Sequence, residues 1–314
     1  MSLDRLIEKI HEKQNPTVVG LDPLLSYIPE HIKNAAREEY GGGFESAAHA
    51  IEVFNKGIID AVCDIVPAVK PQCAYYELYG WQGLRALSRT IDYAKSKGMF
   101  VITDGKRNDI GSTMTAYAQA HLGETSLETE QSPAFGGDAL TVNGYLGTDG
   151  ISPVLEVCAQ KDKGLFVLVK TSNPSSGELQ DIETAGGEKI YEVMGGLCEK
   201  WGEKLPGKYG YSGVGCVVGA TYPEQLAELR RRLPHSFFLV PGYGAQGGGA
   251  KDVLGGFDKR GLGAVVNSSR AVLCAYQKRG APETEFAACA REEAIRMRDE
   301  LMKEIGEIKI GTRL

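Results

Sequence analysis

The chain has 314 residues, of which 42% are hydrophobic and 24% are charged, and its formal net charge is −6. These proportions are those of an ordinary soluble globular protein. The acidic balance argues against broad nucleic-acid binding but leaves room for a local basic pocket for a small anion. No apolar run approaches the roughly 20 residues that a membrane span requires. Residues 1–10 are charged throughout and are expected to form an amphipathic helix rather than a signal peptide.

Cysteine and histidine are scattered along the chain. The seven cysteines contain no C-x-x-C pair, which favours reduced, mostly buried thiols and a cytoplasmic location. The five histidines stand alone, without H-E-x-x-H or a comparable spacing. We therefore expect neither a histidine-based metal site nor a Ser-His-Asp triad.

Eight short apolar runs, rich in β-branched residues, alternate with segments that suit helices. Their nearly continuous hydrophobicity is typical of parallel strands covered on both faces. In chain order the predicted strands are 17–21, 66–69, 99–103, 139–142, 165–169, 214–218, 237–240 and 264–266. The predicted helices between them include 47–62, 83–97, 113–122, 150–159, 187–201, 223–232 and 250–257. This alternation predicts an α/β fold, a single-domain (β/α)8 TIM barrel over residues 1–314, with a doubly wound sheet as the structural alternative.

Three connections after predicted strands are long: 22–43, 171–187 and 242–250. In a barrel, the loops that follow the strands carry the functional site. We therefore regard these segments as candidate lids.

Charged residues follow the first three predicted strands. Asp22 follows strand one, Lys70 follows strand two, and three charges (Asp104, Lys106 and Asp109) follow strand three. Because Asp104 and Lys106 are two residues apart, an extended backbone points both side chains to the same side. Alone, Asp22 suits a turn, Lys70 suits a side chain that reaches solvent, and Asp109 suits a helix cap. Together in a barrel, these groups would converge over its mouth.

The last two strand ends predict an anion site. The glycine-rich backbone at 242–249 exposes N–H groups just before a predicted helix, and Arg270 offers a bidentate cation for phosphate. A flexible loop beside a surface arginine is the alternative. The segment from Gly242 to Gly247 also matches the dinucleotide pattern G-x-G-x-x-G, but the acidic residue that this pattern requires is missing from 262–267. We therefore do not expect a dinucleotide site.

The stretch from Asp104 to Thr113 reads Asp-Gly-Lys-Arg-Asn-Asp-Ile-Gly-Ser-Thr and resembles the D-x-K-x-x-D-I-x-x-T signature of the orotidine 5′-phosphate decarboxylase family. Further matches stand at other strand ends, in the expected order: Gly20-Leu21-Asp22, Val69-Lys70-Pro71, Pro241-Gly242-x-Gly244-x-Gln246-Gly247 and Arg270. They extend the resemblance over nearly the whole chain. The long insertions are similar to those of the longer bacterial branch of the family.

The resemblance implies cofactor-free and metal-free decarboxylation of orotidine 5′-phosphate to UMP and CO2, the last step of de novo pyrimidine biosynthesis. It implies that Lys106 donates a proton to C6 of the pyrimidine and that Asp104 lies beside the departing carboxylate. Lys70 would complete an array of alternating charge. The family forms homodimers with shared active sites, so Asp109 and Thr113 would reach the neighbouring subunit's site.

Other substrate contacts also follow from the resemblance. Asp22 would bind a ribose hydroxyl, and Ser172 would bind the pyrimidine edge, although Thr171 and Asn173 are equally able to form that hydrogen bond. The remaining substrate-binding residues implied are Ile110 of the signature, Pro241, Gln246 and Arg270, of which Gln246 and Arg270 would hold the phosphate. Neither a nucleic acid nor a membrane is expected as a partner.

Two alternatives remain open. One is a Mg2+-dependent decarboxylase of the 3-keto-gulonate-6-phosphate type, which shares the D-x-K-x-x-D frame. In that group strand two ends in an acidic metal ligand, whereas here it ends in Lys70, which would repel a metal ion. The other is a non-catalytic barrel that binds nucleotide phosphate.

Overall fold

Eight parallel strands close into a barrel in the computed structural model, which describes residues 2–244 and 249–311. The strands are β1 (Thr17–Leu21), β2 (Ala68–Pro71), β3 (Phe100–Arg107), β4 (Ala139–Val142), β5 (Gly164–Lys170), β6 (Val214–Val218), β7 (Phe238–Val240) and β8 (Ala264–Ser268). Neighbours in sequence pair with each other, and β1 pairs with β8, with Thr17 opposite Val266. The predicted (β/α)8 barrel is therefore confirmed, and the doubly wound sheet was the wrong alternative.

Helices surround the barrel. The α-helices of the described residues are α1 (Ser2–Lys13), α2 (Glu30–Tyr40), α3 (Phe44–Val62), α4 (Cys73–Glu77), α5 (Gly80–Ser96), α6 (Gly111–His121), α7 (Thr148–Lys161), α8 (Gly177–Gln180), α9 (Ile190–Gly202), α10 (Pro223–Arg232), α11 (Ala250–Val253), α12 (Arg270–Leu273), α13 (Ala275–Arg279) and α14 (Phe286–Ile305). Single 3-10 turns cover Leu25–Tyr27, Pro174–Ser176, Leu254–Gly256 and Glu283–Glu285, and a short antiparallel ribbon pairs Thr125–Ser126 with Gln131–Ser132. Among the helices described, none is long and apolar enough to cross a membrane.

Helix α1 closes the amino-terminal end of the barrel. Its apolar residues recur every three or four positions and are buried: Leu3, Leu6, Ile7 and Ile10. They share one hydrophobic cluster with Phe100 and Phe166. Two further clusters fill the space between the strands and the outer helices. The first of these clusters fills the amino-terminal end of the barrel interior.

Several strands run further toward the carboxyl end than the apolar pattern predicts. β2 extends to Pro71, β3 to Arg107 and β8 to Ser268. The added residues are mostly charged or polar, so the hydrophobic run stops before the backbone pairing does. Three of the four charged residues expected after strands two and three therefore lie within them (Lys70, Asp104 and Lys106), and Asp109 lies beyond the end of β3.

Other connections also differ from the expectation. The segment 22–43, predicted as a long loop, contains a 3-10 turn and helix α2. The helix predicted at 250–257 ends at Val253 and gives way to a 3-10 turn, because Gly255 and Gly256 are poor helix formers. Helix α14 lies beyond the last predicted element, and it packs against α3 in the outer layer of helices.

Candidate active site

Asp104 joins two lysines at the carboxyl end of the barrel. Lys70 Nζ lies 2.7 Å from Asp104 Oδ2, and Lys106 Nζ lies 2.6 Å from Asp104 Oδ1. Lys70 and Asp104 are each only 5% exposed, whereas the Lys106 side chain is 44% exposed. The three groups form a row of alternating charge whose accessible end is the Lys106 ammonium.

The charge on Asp104 is stabilised by its neighbours. Burial by itself raises the pKa of this carboxyl, but the ammonium groups of Lys70 and Lys106 outweigh burial and hold its pKa well below the ordinary value. Burial also disfavours the charged form of Lys70, yet Asp104 and Asp22 together raise the pKa of Lys70 above its usual value. Asp104 and Lys70 are therefore both ionised at neutral pH.

Lys106 has an unusual backbone conformation. Its φ is 46°, in the left-handed region, and the β3–β4 register shifts between Thr103 and Arg107. A residue other than glycine pays about 1–3 kcal/mol for such a conformation. The prediction that Asp104 and Lys106 point to the same side is confirmed, but a bulge in β3 accomplishes it, and not the regular extended backbone that the spacing suggests.

Thr141, in the middle of β4, links the carboxylate to this strained backbone. Its hydroxyl donates a hydrogen bond to Asp104 Oδ1 at 2.7 Å and accepts one from the Lys106 N–H at 3.0 Å. The residue is 1% exposed. Thr141 was not predicted as a site residue, because residues 139–142 have the pattern of an apolar strand. A single hydroxyl within that strand, beside the strand that carries the charges, was the available signal.

A cavity of about 150 Å3 lies beside this row, at the seam between β1 and β8. Asp22, Asn267, Ser269 and Arg270 line it. Asp22 Oδ1 and Asn267 Oδ1 are buried acceptors that have no hydrogen-bond partner among the residues the structure describes, so the cavity suits a ligand that carries hydroxyl donors. Arg270, exposed at the start of α12, adds a cation for an anionic group.

Gly20 allows the end of β8 to lie close against β1. A Cβ built on Gly20 would lie 1.8 Å from Ser269 Oγ and 3.2 Å from Asn267 Oδ1. Any larger residue would displace the side chains of Ser269 and Asn267, which line the cavity. The Gly20-Leu21-Asp22 match therefore has a steric basis at its first position as well as a carboxylate at its last.

Asp109, Ile110 and Thr113 lie apart from the charged row. Asp109 Oδ1 accepts a hydrogen bond from the Ile110 N–H at 2.8 Å, and within the described residues Asp109 forms no ion pair. Ile110 is 54% exposed, and Thr113 is exposed in the first turn of α6. The single chain thus does not bring Asp109 to Lys106. Nor does the Asp109 side chain cap α6, because it binds the residue that precedes the helix.

Three neighbouring polar residues, Thr171 to Asn173, follow the end of β5 and differ in their hydrogen bonds. Thr171 Oγ1 donates to Asn173 Oδ1 at 2.6 Å and accepts from Gln180 Nε2 at 2.7 Å. The hydroxyl of Ser172, which lies between them and is half-buried, has no hydrogen-bond partner among the described residues. Of the two hydroxyl groups, that of Ser172 is therefore the one left for a ligand, and the exposed Asn173 side chain also has amide N–H groups without a partner among the described residues.

The loop after β7 is described only in part. Pro241 is half-buried, and its carbonyl accepts the Ala220 N–H at 2.9 Å, which fixes the start of the loop. The predicted phosphate ligand Gln246 and the last glycine of the G-x-G-x-x-G pattern, Gly247, lie outside the described residues. Helix α11 begins soon afterwards at Ala250.

Metal ligands do not cluster in the part of the chain that the structure describes. No group of three or more His, Cys, Asp or Glu side chains is arranged to hold a metal ion there. At the end of β2, where the Mg2+-dependent alternative requires an acidic ligand, the Lys70 ammonium is instead bound to Asp104.

Comparisons with known proteins agree with this geometry. A family model described as "Orotidine 5'-phosphate decarboxylase / HUMPS family" matches residues 49–284. Orotidine 5′-phosphate decarboxylase of Rhodopirellula baltica is 47% identical to the chain, with 91% of this chain and 93% of the relative covered. The enzyme of that name from Clostridium novyi is 44% identical, with 96% and 99% covered.

A solved structure extends the similarity to the fold. The structure of Leishmania donovani OMP decarboxylase superposes with a TM-score of 0.69 at 29% identity, and 95% of this chain and 98% of that chain are covered. From these matches over most of its length, the chain belongs to the orotidine 5′-phosphate decarboxylase family and is an enzyme of that family.

Proposed function

We propose that Lys106, supported by Asp104 and Lys70, carries the decarboxylation of orotidine 5′-phosphate in this enzyme. The observation that carries the proposal is the row of alternating charge with an accessible ammonium at its end. In the reaction the bond between C6 and the carboxylate breaks, CO2 leaves, and the electron pair stays on C6. The Lys106 ammonium transfers a proton to C6 to give UMP and regains a proton from water.

Electrostatics explains why a fixed cation is needed. The carbanion at C6 lies in the plane of the pyrimidine ring, where the π-system does not delocalise it. A nearby ammonium that is already oriented stabilises this charge and then protonates the carbon. Asp104 stays ionised because the lysines hold its pKa low, so it repels the substrate carboxylate until CO2 departs.

The rest of the substrate fits the neighbouring cavity. Asp22 and Asn267 offer buried acceptors to the ribose hydroxyls, and Arg270 offers a cation to the phosphate. Ser172 offers a hydroxyl to the pyrimidine edge. Pro241 starts the phosphate loop, and Gln246 is proposed to bind phosphate from that loop. Binding energy from the distant phosphate is available to lower the barrier at C6.

The enzyme is further proposed to act as a homodimer with shared active sites. Large apolar side chains are exposed around Asp109: Ile110, Tyr117, Tyr145 and Leu146. The segments that carry Asp109 and Leu146 approach each other at Gly150 of α7. A Cβ on this glycine would lie 3.1 Å from the Asp109 carbonyl oxygen and 3.4 Å from Leu146 Cβ. Soluble monomers rarely expose such a patch. A second subunit would cover it and receive Asp109, Ile110 and Thr113.

The cellular setting is proposed from chemistry. All seven cysteines are free thiols, which suits the reducing cytoplasm. There the single catalytic domain would perform the last step of de novo pyrimidine biosynthesis without a cofactor, a metal, a nucleic acid or a membrane.

The test is an ultraviolet assay. Orotidine 5′-phosphate loses the orotate chromophore when it becomes UMP, so catalytic amounts of the protein should abolish that absorbance. The rate should be unchanged in excess EDTA, which separates this reaction from the Mg2+-dependent alternative. No loss of absorbance, or a loss that EDTA stops, would contradict the proposal.

A further inference from the structure

Lys170, the last residue of β5, is a buried charge that the proposed reaction does not use. Its side chain is 0% exposed, and its Nζ lies 2.8 Å from Asp181 Oδ1. The same ammonium lies 4.6 Å from the ring centroid of Tyr222 and 5.4 Å from that of Tyr191. Burying an ammonium is costly unless an ion pair and aromatic faces replace its water. The chain therefore keeps a fully buried ammonium, paired with a partly exposed carboxylate, next to the loop proposed to bind the pyrimidine.

The ion pair connects the two ends of that loop, since Lys170 precedes it and Asp181 ends it. Asp181 directly follows α8, and the preceding residue, Gln180, binds the start of the loop. Gln180 Oε1 accepts the Thr171 N–H at 3.0 Å, and Gln180 Nε2 donates to Thr171 Oγ1 at 2.7 Å. Two consecutive side chains at the end of α8 thus fasten it to the end of β5.

Ser172 lies between the contacts made by Gln180 and Asp181 on one side and Gly219, which follows β6, on the other. The Gly219 N–H donates to the Lys170 carbonyl at 2.8 Å. A Cβ on Gly219 would lie 2.9 Å from the backbone nitrogen of Ser172 and 2.8 Å from its Cβ, so the two segments touch at a position where only glycine fits. The backbone of Ser172 is held from both sides while its hydroxyl stays available.

We propose that the Lys170–Asp181 ion pair is a positioning clamp that fixes Ser172 for recognition of the pyrimidine ring. The inference rests on the proposed function, because it assigns the pyrimidine to Ser172. Lys170 touches no substrate and acts through the loop, so it is a positioning residue. The Lys170 ammonium is shielded from water, so its ion pair has a defined geometry, and loss of the pair would let the hydroxyl of Ser172 leave its binding position.

The clamp is tested with Asp181→Asn and Lys170→Met. Dissociation constants for UMP and for ribose 5-phosphate, which lacks the base, are measured by calorimetry. In both variants UMP should bind about tenfold more weakly, the loss of roughly one hydrogen bond. Ribose 5-phosphate should bind as it does to the unaltered enzyme. The Asp181 side chain is 34% exposed, so Asp181→Asn keeps the test decisive if Lys170→Met does not fold.

Asp258→Asn is the matched control. Asp258 pairs with Arg260 at 2.8 Å near the amino-terminal end of the barrel, far from the loop. This control should lower the melting temperature and leave the ratio of the two dissociation constants unchanged. Equal weakening of UMP and ribose 5-phosphate in Asp181→Asn, or weakening of neither, would overturn the clamp. Absence of orotidine 5′-phosphate turnover by the unaltered protein would instead overturn the proposed function.

Discussion

The hydroxyl of Thr141 accepts the backbone N–H of Lys106 at 3.0 Å. Lys106 has a left-handed backbone conformation, and its N–H has turned out of the regular β3–β4 ladder. The same hydroxyl donates to Asp104, so one side chain orients both the carboxylate and the segment that carries the lysine.

Replacing Thr141 with valine should impair chemistry more than binding. The change keeps the shape but removes both hydrogen bonds, and a displacement of about 1 Å at a reacting group costs on the order of 100-fold in rate. We expect kcat to fall about 10- to 100-fold with little change in KM. Thr141→Ser, which keeps the hydroxyl, is the control. A valine variant with unaltered kcat would show that the hydroxyl does not position the site.

Lys106→Ala should abolish turnover while UMP binding survives. A general acid contributes about 10²- to 10⁴-fold, and this residue also supplies the stabilising charge. The absorbance assay measures the loss, and calorimetry with UMP shows whether the site is intact. Lys161→Ala, a change in an exposed lysine at the end of α7, is a control that should keep full activity. Undiminished turnover in Lys106→Ala would rule out the assigned role.

Asp109→Ala should be inactive by itself and should complement Lys106→Ala. If each site takes Lys106 from one subunit and Asp109 from the other, a mixed dimer contains one site without either change. Random exchange of equal amounts should then restore about a quarter of the original activity. Each variant incubated alone is the control. Failure to regain activity despite demonstrated exchange would place Asp109 in its own subunit's site.

Arg270→Ala should lower the catalytic efficiency only for the phosphorylated substrate. Loss of a charge-assisted hydrogen bond should lower kcat/KM for orotidine 5′-phosphate about 10- to 100-fold. The rate with orotidine, which lacks the phosphate, should not change. Arg279→Ala at the end of α13 removes a cation elsewhere and should have neither effect. An equal loss with both substrates would indicate that Arg270 does not contact phosphate.

His121 should make the fold sensitive to mild acid. Burial, together with the positive charge of Arg107, lowers the pKa of His121 from 6.5 to about 4. The unfolded chain takes up a proton on this residue at a higher pH than the folded chain does. The contribution of neutral His121 to stability is therefore complete above pH 6.5 and is lost as the pH drops toward 4. The expected loss is about 3 kcal/mol in the free energy of unfolding. Urea titrations at several pH values measure it, and His121→Leu should remove most of this slope. A slope that persists in the variant would assign the acid sensitivity to other groups.

The sequence predicted what depends on periodicity. All eight strands were expected close to where they occur, since buried parallel strands are short runs of apolar residues. The charged residues at their ends followed from the barrel, which brings those ends together. Lys70, Asp104 and Lys106 were thus predictable as one group.

Features that depend on three-dimensional contact were not predictable. The bulge in β3 and the left-handed Lys106 have no local signal, because lysine normally avoids that conformation. Thr141 matters only because β4 lies beside β3. Lys170 reads as the polar end of an apolar strand, and its burial depends on tyrosines in two later segments.

Asp22 and Arg270 come from opposite ends of the sequence and line one cavity because β1 pairs with β8. A nascent chain on the ribosome can therefore contain the whole charged row, carried on β2 and β3, before the phosphate end of its site exists. Affinity for nucleotide appears only when the last strand joins the first. Since a ligand stabilises the form that binds it, substrate would protect fully synthesised chains and leave truncated ones to proteolysis.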